Sequence, residues 1–275
     1  MILTRQTADH TSQSDMTDSI EQSIYDYPVY YDLLFGSDWK AEFAFLEHCF
    51  QHYTDRVIER VFEPACGTGR LLIKLARTGY DVGGNDLNPI AIDFCNDRLE
   101  RNGFGRPTTV GDMSDFRLSK KADAAFNTIN SFRHLPTEKA AEAHLKCISK
   151  ALRKGGLYIL GIHLLPTSGT TCDEEAWSAR RGNLVVNSYM WSKKIDKRNR
   201  MEHLGMTIDV YTPTRHQRIV DHMEYRTYTL KQFRKLLTCV PEFEIVAVHD
   251  FAYDVKSTIE LDARTEDMVC VLRKR

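Results

Sequence analysis

Val61-Phe62-Glu63-Pro64-Ala65-Cys66-Gly67-Thr68-Gly69-Arg70 leads from a short apolar stretch into a glycine turn, and Leu71, Leu72, Leu75 and Ala76 follow at helical spacing. Strand, tight turn and helix in this order leave free N–H groups at the helix start, and glycine lets a ligand approach the backbone closely. Gly79 suits a left-handed helix end. A second strand over 80–85 then ends at Asp86, 19 residues beyond Gly67. A carboxylate there can accept both hydroxyl hydrogens of a ribose in the crevice of an open α/β sheet. Two competing readings of the glycines fail on spacing. A nicotinamide-type fingerprint needs a third glycine where Leu72 stands, and a phosphate loop needs Lys and Ser or Thr where Arg70 and Leu71 follow Gly69.

Outward from this turn the alternation continues. Asn88 can cap the next helix, and Pro89 suits its first turn. Thr108–Val110 leads into Gly111-Asp112-Met113, Ala122–Ile129 reads as a strand, and a helix over 137–152 ends at Lys154-Gly155-Gly156. Leu157–Leu164 is then a nearly continuous apolar strand, as expected of a parallel sheet covered on both faces. The stretch 165–182 reads as a loop; 184–190, 205–212 and 216–226 read as extended, without helices between them. They predict a small antiparallel insertion over 165–226. Thr229 and Gln232 form a plausible capping box, and strands over 243–250 and 267–272 complete the domain in 227–275. Before the turn, residues 1–20 read as a flexible tail. From 21 to 164 the chain carries a helix over 38–53, an aromatic run holding Tyr25, Tyr27, Tyr30, Tyr31 and Phe35, and the cofactor-binding part.

The 275 residues carry 37 Lys and Arg against 38 Asp and Glu, a formal charge of -1. That balance excludes a strongly basic domain as the basis of nucleic-acid binding. A local run from Lys193 to Arg200 could touch RNA, but it falls where a charged hairpin turn is expected. Seven dispersed cysteines without a CxxC pair argue against a disulfide scaffold or thiolate zinc site, and no metal is expected. With no signal-like apolar stretch and no membrane-length run, the expected location is cytoplasmic, as a monomer or homodimer.

The run Val61–Arg70 closely resembles the first motif of class I S-adenosylmethionine-dependent methyltransferases, small-molecule type. Asn85-Asp86-Leu87-Asn88-Pro89 is similar to that family's ribose-binding segment, Gly111-Asp112-Met113-Ser114-Asp115-Phe116 to its adenine segment, and Asn127-Thr128-Ile129-Asn130-Ser131-Phe132 to its methyl-transfer loop. Ala65 stands where many members have glycine. The resemblance implies an α/β fold, Rossmann-like, with a seven-stranded mixed sheet, six strands parallel and the seventh reversed, helices on both faces and a cap insertion. It implies S-adenosyl-L-methionine as cofactor, held by Tyr31, Glu63, Ala65, Gly67, Gly69, Asp86, Leu87, Asp112, Met113 and Asn127.

Methyl transfer from a sulfonium is an in-line displacement, so candidate catalytic groups belong on the loop after the fourth sheet strand. His134 could accept a proton, or simply hold the loop. Asn130 could orient cofactor or acceptor, and Tyr31 could touch the sulfonium region. Phe132, Arg133, His163, Arg180 and Trp191 are the candidates for binding a small-molecule methyl acceptor; Arg133 could equally face solvent. An N or O acceptor atom is expected. A non-catalytic cofactor-binding protein and an RNA or protein methyltransferase are the alternatives.

Overall fold

The computed structural model describes residues 18–36, 39–169 and 174–275. Strand β1 (Asp18–Glu21), a 3-10 turn (Ile24–Asp26) and helix α1 (Pro28–Phe35) precede α2 (Trp39–His52). Alternation follows: β2 (Arg60–Pro64), α3 (Leu72–Arg77), β3 (Asp81–Asp86), α4 (Pro89–Glu100), β4 (Thr108–Val110), β5 (Ala122–Asn127), α5 (Glu138–Ala151) and β6 (Leu152–His163). Four long strands come next: β7 (Glu174–Arg181), β8 (Leu184–Asp196), β9 (Met201–Thr212) and β10 (Arg215–Arg226). Helix α6 (Leu230–Leu237), β11 (Phe243–His249) and β12 (Asp267–Lys274) close the chain.

The central sheet has the order β11-β12-β6-β5-β2-β3-β4. β12 runs antiparallel to both neighbours and the other pairings are parallel, so six strands share one direction and β12 is reversed. Successive residues of a strand face opposite sides, and here both sides are covered. Phe62, Ala125, Tyr158 and Leu160 pack with α5 and α6. Val61, Ala124, Phe126 and Ile159 pack with α2, α3 and α4. Full burial of each large side chain contributes about 1.5–3 kcal/mol.

Local end signals act as expected. The Asn88 side chain accepts from the N–H groups of Ile90 and Ala91, with Pro89 in the first turn of α4. Thr229 and Gln232 form the capping box of α6.

Three expectations need correction. Residues 174–181, read as part of a loop, form β7, paired with β8 from Glu174↔Trp191 to Arg181↔Leu184. That register is set by the neighbouring strand, because the β7 sequence is mostly charged and small. Residues 18–20, read as tail, belong to β1, which pairs parallel with β10 through Ile20↔Ile219; the rest of the tail lies outside the described residues. Finally, Lys154-Gly155-Gly156 lies inside β6 instead of preceding it, with Gly155 at φ +80.

The second sheet, β1-β10-β9-β8-β7, is the cap. Its apolar face packs Val186, Met206, Ile208 and Ile219 against Ile24, Leu33 and Leu34 of the N-terminal segment. That segment therefore sits between the cap and the open edge of the central sheet.

Candidate active site

The turn between β2 and α3 places Ala65, Gly67 and Gly69 at φ +52, +51 and +65. This left-handed conformation costs an ordinary residue about 1–2 kcal/mol, which Ala65 bears and the two glycines escape. Gly69 is needed for a second reason, since a Cβ there would collide with the Cys95 sulfur of α4. At Gly67 a Cβ would meet nothing nearer than the Tyr31 ring, at 3.8 Å, so this part of the turn faces the space under α1. Asp86, at the end of β3, fixes the turn: its Oδ2 accepts from the Gly67 N–H at 2.8 Å and its Oδ1 from the Asn88 N–H at 2.8 Å. Burial raises the Asp86 pKa, and these two donors oppose the rise.

Several polar atoms at the C-terminal ends of β2, β3 and β5 are buried without a partner among the described residues: Glu63 Oε2, Asn85 Nδ2 and Oδ1, and Asn127 Oδ1. Such atoms are costly unless a ligand or water completes them. Burial pushes the Glu63 carboxyl well up, while nearby Arg70 opposes that. Arg70 itself is held by Glu42. Asn127 donates to the Pro64 carbonyl at 2.9 Å. Beyond β4, Asp112 accepts from the Ser114 N–H at 2.7 Å. The Met113 side chain is buried in the core, and its carbonyl accepts from His144 Nδ1 at 2.8 Å. Leu87 is exposed beside Asp86.

The loop after β5 is a 3-10 turn, Ser131–His134, entered through Asn130 at φ +50. Asn130 Oδ1 accepts from the His163 N–H at 2.6 Å, tying the loop to β6. Phe132 turns into the core between His144 and Tyr228; placed there, it has no face left for an acceptor. Arg133 is also buried: it pairs with Glu202 of β9, donates from Nε to the Arg226 carbonyl at 3.1 Å and lies over the Tyr225 ring. His134 Nε2 is 2.9 Å from the Tyr25 hydroxyl. Burial lowers the His134 pKa to about 4 and raises that of Tyr25 well above its ordinary value. Both groups are therefore neutral, and hydroxyl and imidazole share one hydrogen bond. A shallow cleft open to solvent lies beside this loop. Asn130, Arg133, His163 and Trp191 line it together with Glu174, Glu175, Glu202 and Tyr225. Arg180 is not among them, because it is exposed on β7 and donates to the Gly182 carbonyl at 2.9 Å.

Residues 61–156 match the family model described as "Methyltransferase domain". The chain is 25% identical over 180 residues to the dTDP-3-amino-3,4,6-trideoxy-alpha-D-glucopyranose N,N-dimethyltransferase of Streptomyces venezuelae, covering 64% of this chain and 74% of that one. Its fold is similar to the S-adenosylmethionine-dependent methyltransferase from Clostridium acetobutylicum ATCC 824, with a TM-score of 0.73, 18% identity and coverage of 90% and 97%. It is also similar to Streptomyces venezuelae DesVI, with a TM-score of 0.72, 18% identity and coverage of 91% and 99%. Residues 61–156 thus carry a methyltransferase domain, on the fold seen in S-adenosylmethionine-dependent methyltransferases.

S-adenosylmethionine is the cofactor of this methyltransferase. The orphaned atoms of Glu63, Asn85 and Asn127 around the glycine turn fit a ligand that ends in a charged amino acid and carries a polar nucleoside. The acceptor side of the methyltransferase was less legible. Glu175, Glu202 and Tyr225, all lining the cleft, were not singled out from the sequence. One signal for Glu175 was available: alternation along β7 puts Glu175, Trp177 and Ala179 on the less exposed face, with a carboxylate in a slot that otherwise takes apolar side chains.

Proposed function

We propose that this enzyme methylates an amine nitrogen of a small-molecule acceptor seated in the cleft beside Asn130. The charge of the cleft carries the reading. Glu174, Glu175 and Glu202 line it with Arg133, and Arg133 is committed to Glu202. His163 lies between Asp267, at 2.8 Å from Nδ1, and Glu266, at 3.3 Å from Nε2. A carboxylate-bearing acceptor would be repelled here, whereas an ammonium-bearing one is matched. Burial raises the Glu175 pKa and His163 opposes that, so its carboxylate is suited to taking the proton an amine must lose before it attacks. The amino-sugar N,N-dimethyltransferase named above favours the same class. Within the basic run that could have met RNA, Lys193 lies 2.8 Å from His222 and Arg200 2.6 Å from Glu138.

The cofactor supplies a methyl group already activated on a sulfonium, so the chain's task is alignment and exclusion of water. In this reading Asp86 holds the ribose, since each carboxylate oxygen has lone-pair capacity beyond the amide it accepts. Leu87, Asp112 and Met113 border the adenine; Glu63, Ala65, Gly67 and Gly69 shape the methionyl end; Asn127 and Tyr31 flank the reacting centre. Asn130 and His163 place the acceptor loop, and Trp191 offers the acceptor a flat wall.

Incubating the purified enzyme with S-adenosylmethionine and matched acceptors tests this. Sugar nucleotides differing only in an amino, hydroxyl or carboxylate substituent should give methylated product, read by mass spectrometry, for the amine. Equal turnover of the hydroxyl series would remove the nitrogen preference.

A further inference from the structure

Asp32 is a buried carboxylate on α1, outside the acceptor cleft and not needed by the reading above. Its Oδ1 accepts from the Thr68 hydroxyl at 3.1 Å. Thr68 is itself buried, between Gly67 and Gly69 in the cofactor turn. Asp32 Oδ2 pairs with Arg98 of α4 at 2.6 Å and with Arg181 of β7 at 3.5 Å. One side chain thus touches the cofactor turn, the helix that follows Asp86, and the cap. Its helix repeats the pattern with aromatic groups. The Tyr31 ring faces Gly67, and Phe35 meets Trp177 of β7 with ring centroids 5.8 Å apart.

We propose that Asp32 is a positioning residue that couples seating of the cap to the shape of the cofactor turn. A buried carboxylate is tolerated only while its charge is matched and its lone pairs are used. Arg98 belongs to the same body as the turn, whereas Arg181 arrives with β7. With β7 seated, Oδ2 has both guanidinium groups and Oδ1 is left to hold Thr68. With β7 displaced, Arg98 must carry Oδ2 alone, Phe35 loses its ring partner, and α1 is freer to drift from the turn. Cofactor binding needs that turn fixed, so it favours the seated cap. By linkage, the seated cap favours the cofactor by the same factor.

The test measures S-adenosylhomocysteine affinity by calorimetry in Thr68→Val, Arg181→Met and the double variant. Thr68→Val should weaken binding about tenfold, the loss of a buried hydrogen bond to a charged group. Arg181→Met should weaken it about two- to fivefold, small because the arginine side chain is 64% exposed. In the double variant Arg181→Met should add little, since both changes break one chain of contacts. Thr68→Ser keeps the hydroxyl and should bind nearly as wild type. Conversely, S-adenosylhomocysteine should slow hydrogen exchange of the Ala176–Ala179 amides in the wild type and not in Thr68→Val. An unchanged affinity in Arg181→Met, or factors that simply multiply in the double variant, would overturn the coupling.

Discussion

The carboxylate of Asp86 accepts the backbone N–H of Gly67 at 2.8 Å, across 19 residues of chain. The acid that ends β3 thereby shapes the turn that ends β2, as well as offering its remaining lone pairs to a ligand. Asp86→Asn replaces one oxygen by a donor, so either the Gly67 or the Asn88 amide loses its partner. Affinity for S-adenosylhomocysteine should fall about 10- to 100-fold with the fold retained, as read by calorimetry alongside circular dichroism. Unchanged affinity would sink this double role.

Gly69 is expected to be intolerant of alanine. The substitution meets both the Cys95 sulfur and a backbone at φ +65, and should lower stability by about 2–4 kcal/mol in urea unfolding. Adding Cys95→Ala should recover the steric part and leave about 1 kcal/mol of backbone cost. No recovery in the double variant would show that packing against Cys95 is irrelevant.

Arg133 and Glu202 form a buried pair, and removing one partner is the costly change. Arg133→Met should lose about 3–5 kcal/mol of stability, while Arg133→Met with Glu202→Leu should lose much less. The measurement is the shift in denaturation midpoint. Equal losses would contradict the pairing as its cause.

Acidification should weaken the fold through two histidines. Burial lowers His134 and His144 from the ordinary 6.5 to about 4. Between those values the unfolded chain binds protons that the folded one refuses. Their contribution is therefore complete above pH 6.5, is lost as pH falls toward 4, and amounts to something on the order of 3 kcal/mol each. Urea midpoints from pH 7 to 4.5 should show a steeper acid slope in the wild type than in His144→Asn. Identical slopes would exclude His144. For the same reason, no rate limb near pH 6.5 is expected from His134.

Glu175→Gln should raise the KM of an amine acceptor about tenfold while leaving S-adenosylhomocysteine affinity within twofold, because it removes a charge from the cleft alone. Steady-state kinetics beside calorimetry separate the two. A change confined to cofactor affinity would place Glu175 elsewhere in the mechanism.

What could be read in advance was local. Gly67 and Gly69 at their spacing, Asp86 at a strand end, Asn88 before Pro89 and Thr229 before Gln232 each act through neighbours a few residues away or through one strand crossing. What escaped depended on distant partners. Arg133 looked equally ready for solvent or a ligand until Glu202, 69 residues later, claimed it. Phe132 sat in the right loop with its ring turned the wrong way, into the core. β7 escaped because it takes its register from β8 and only Trp177 and Ala179 on its inner face are apolar.

The N-terminal segment has a further consequence, for the order of assembly. The Ile24 N–H donates to Asp221 at 2.9 Å, a contact spanning 197 residues, and β1 adds to β10 beside it. During synthesis the aromatic run over 25–35 therefore emerges before the cap and stays uncovered until nearly the whole cap has been made. Loop closure of that length comes late in folding. Pulsed hydrogen exchange during refolding should protect β2 and β5 before Ile24 and Tyr31; simultaneous protection would refute that order. The segment packed between the glycine turn and the cap precedes nearly all of its partners in the chain and is among the last parts to be set in place.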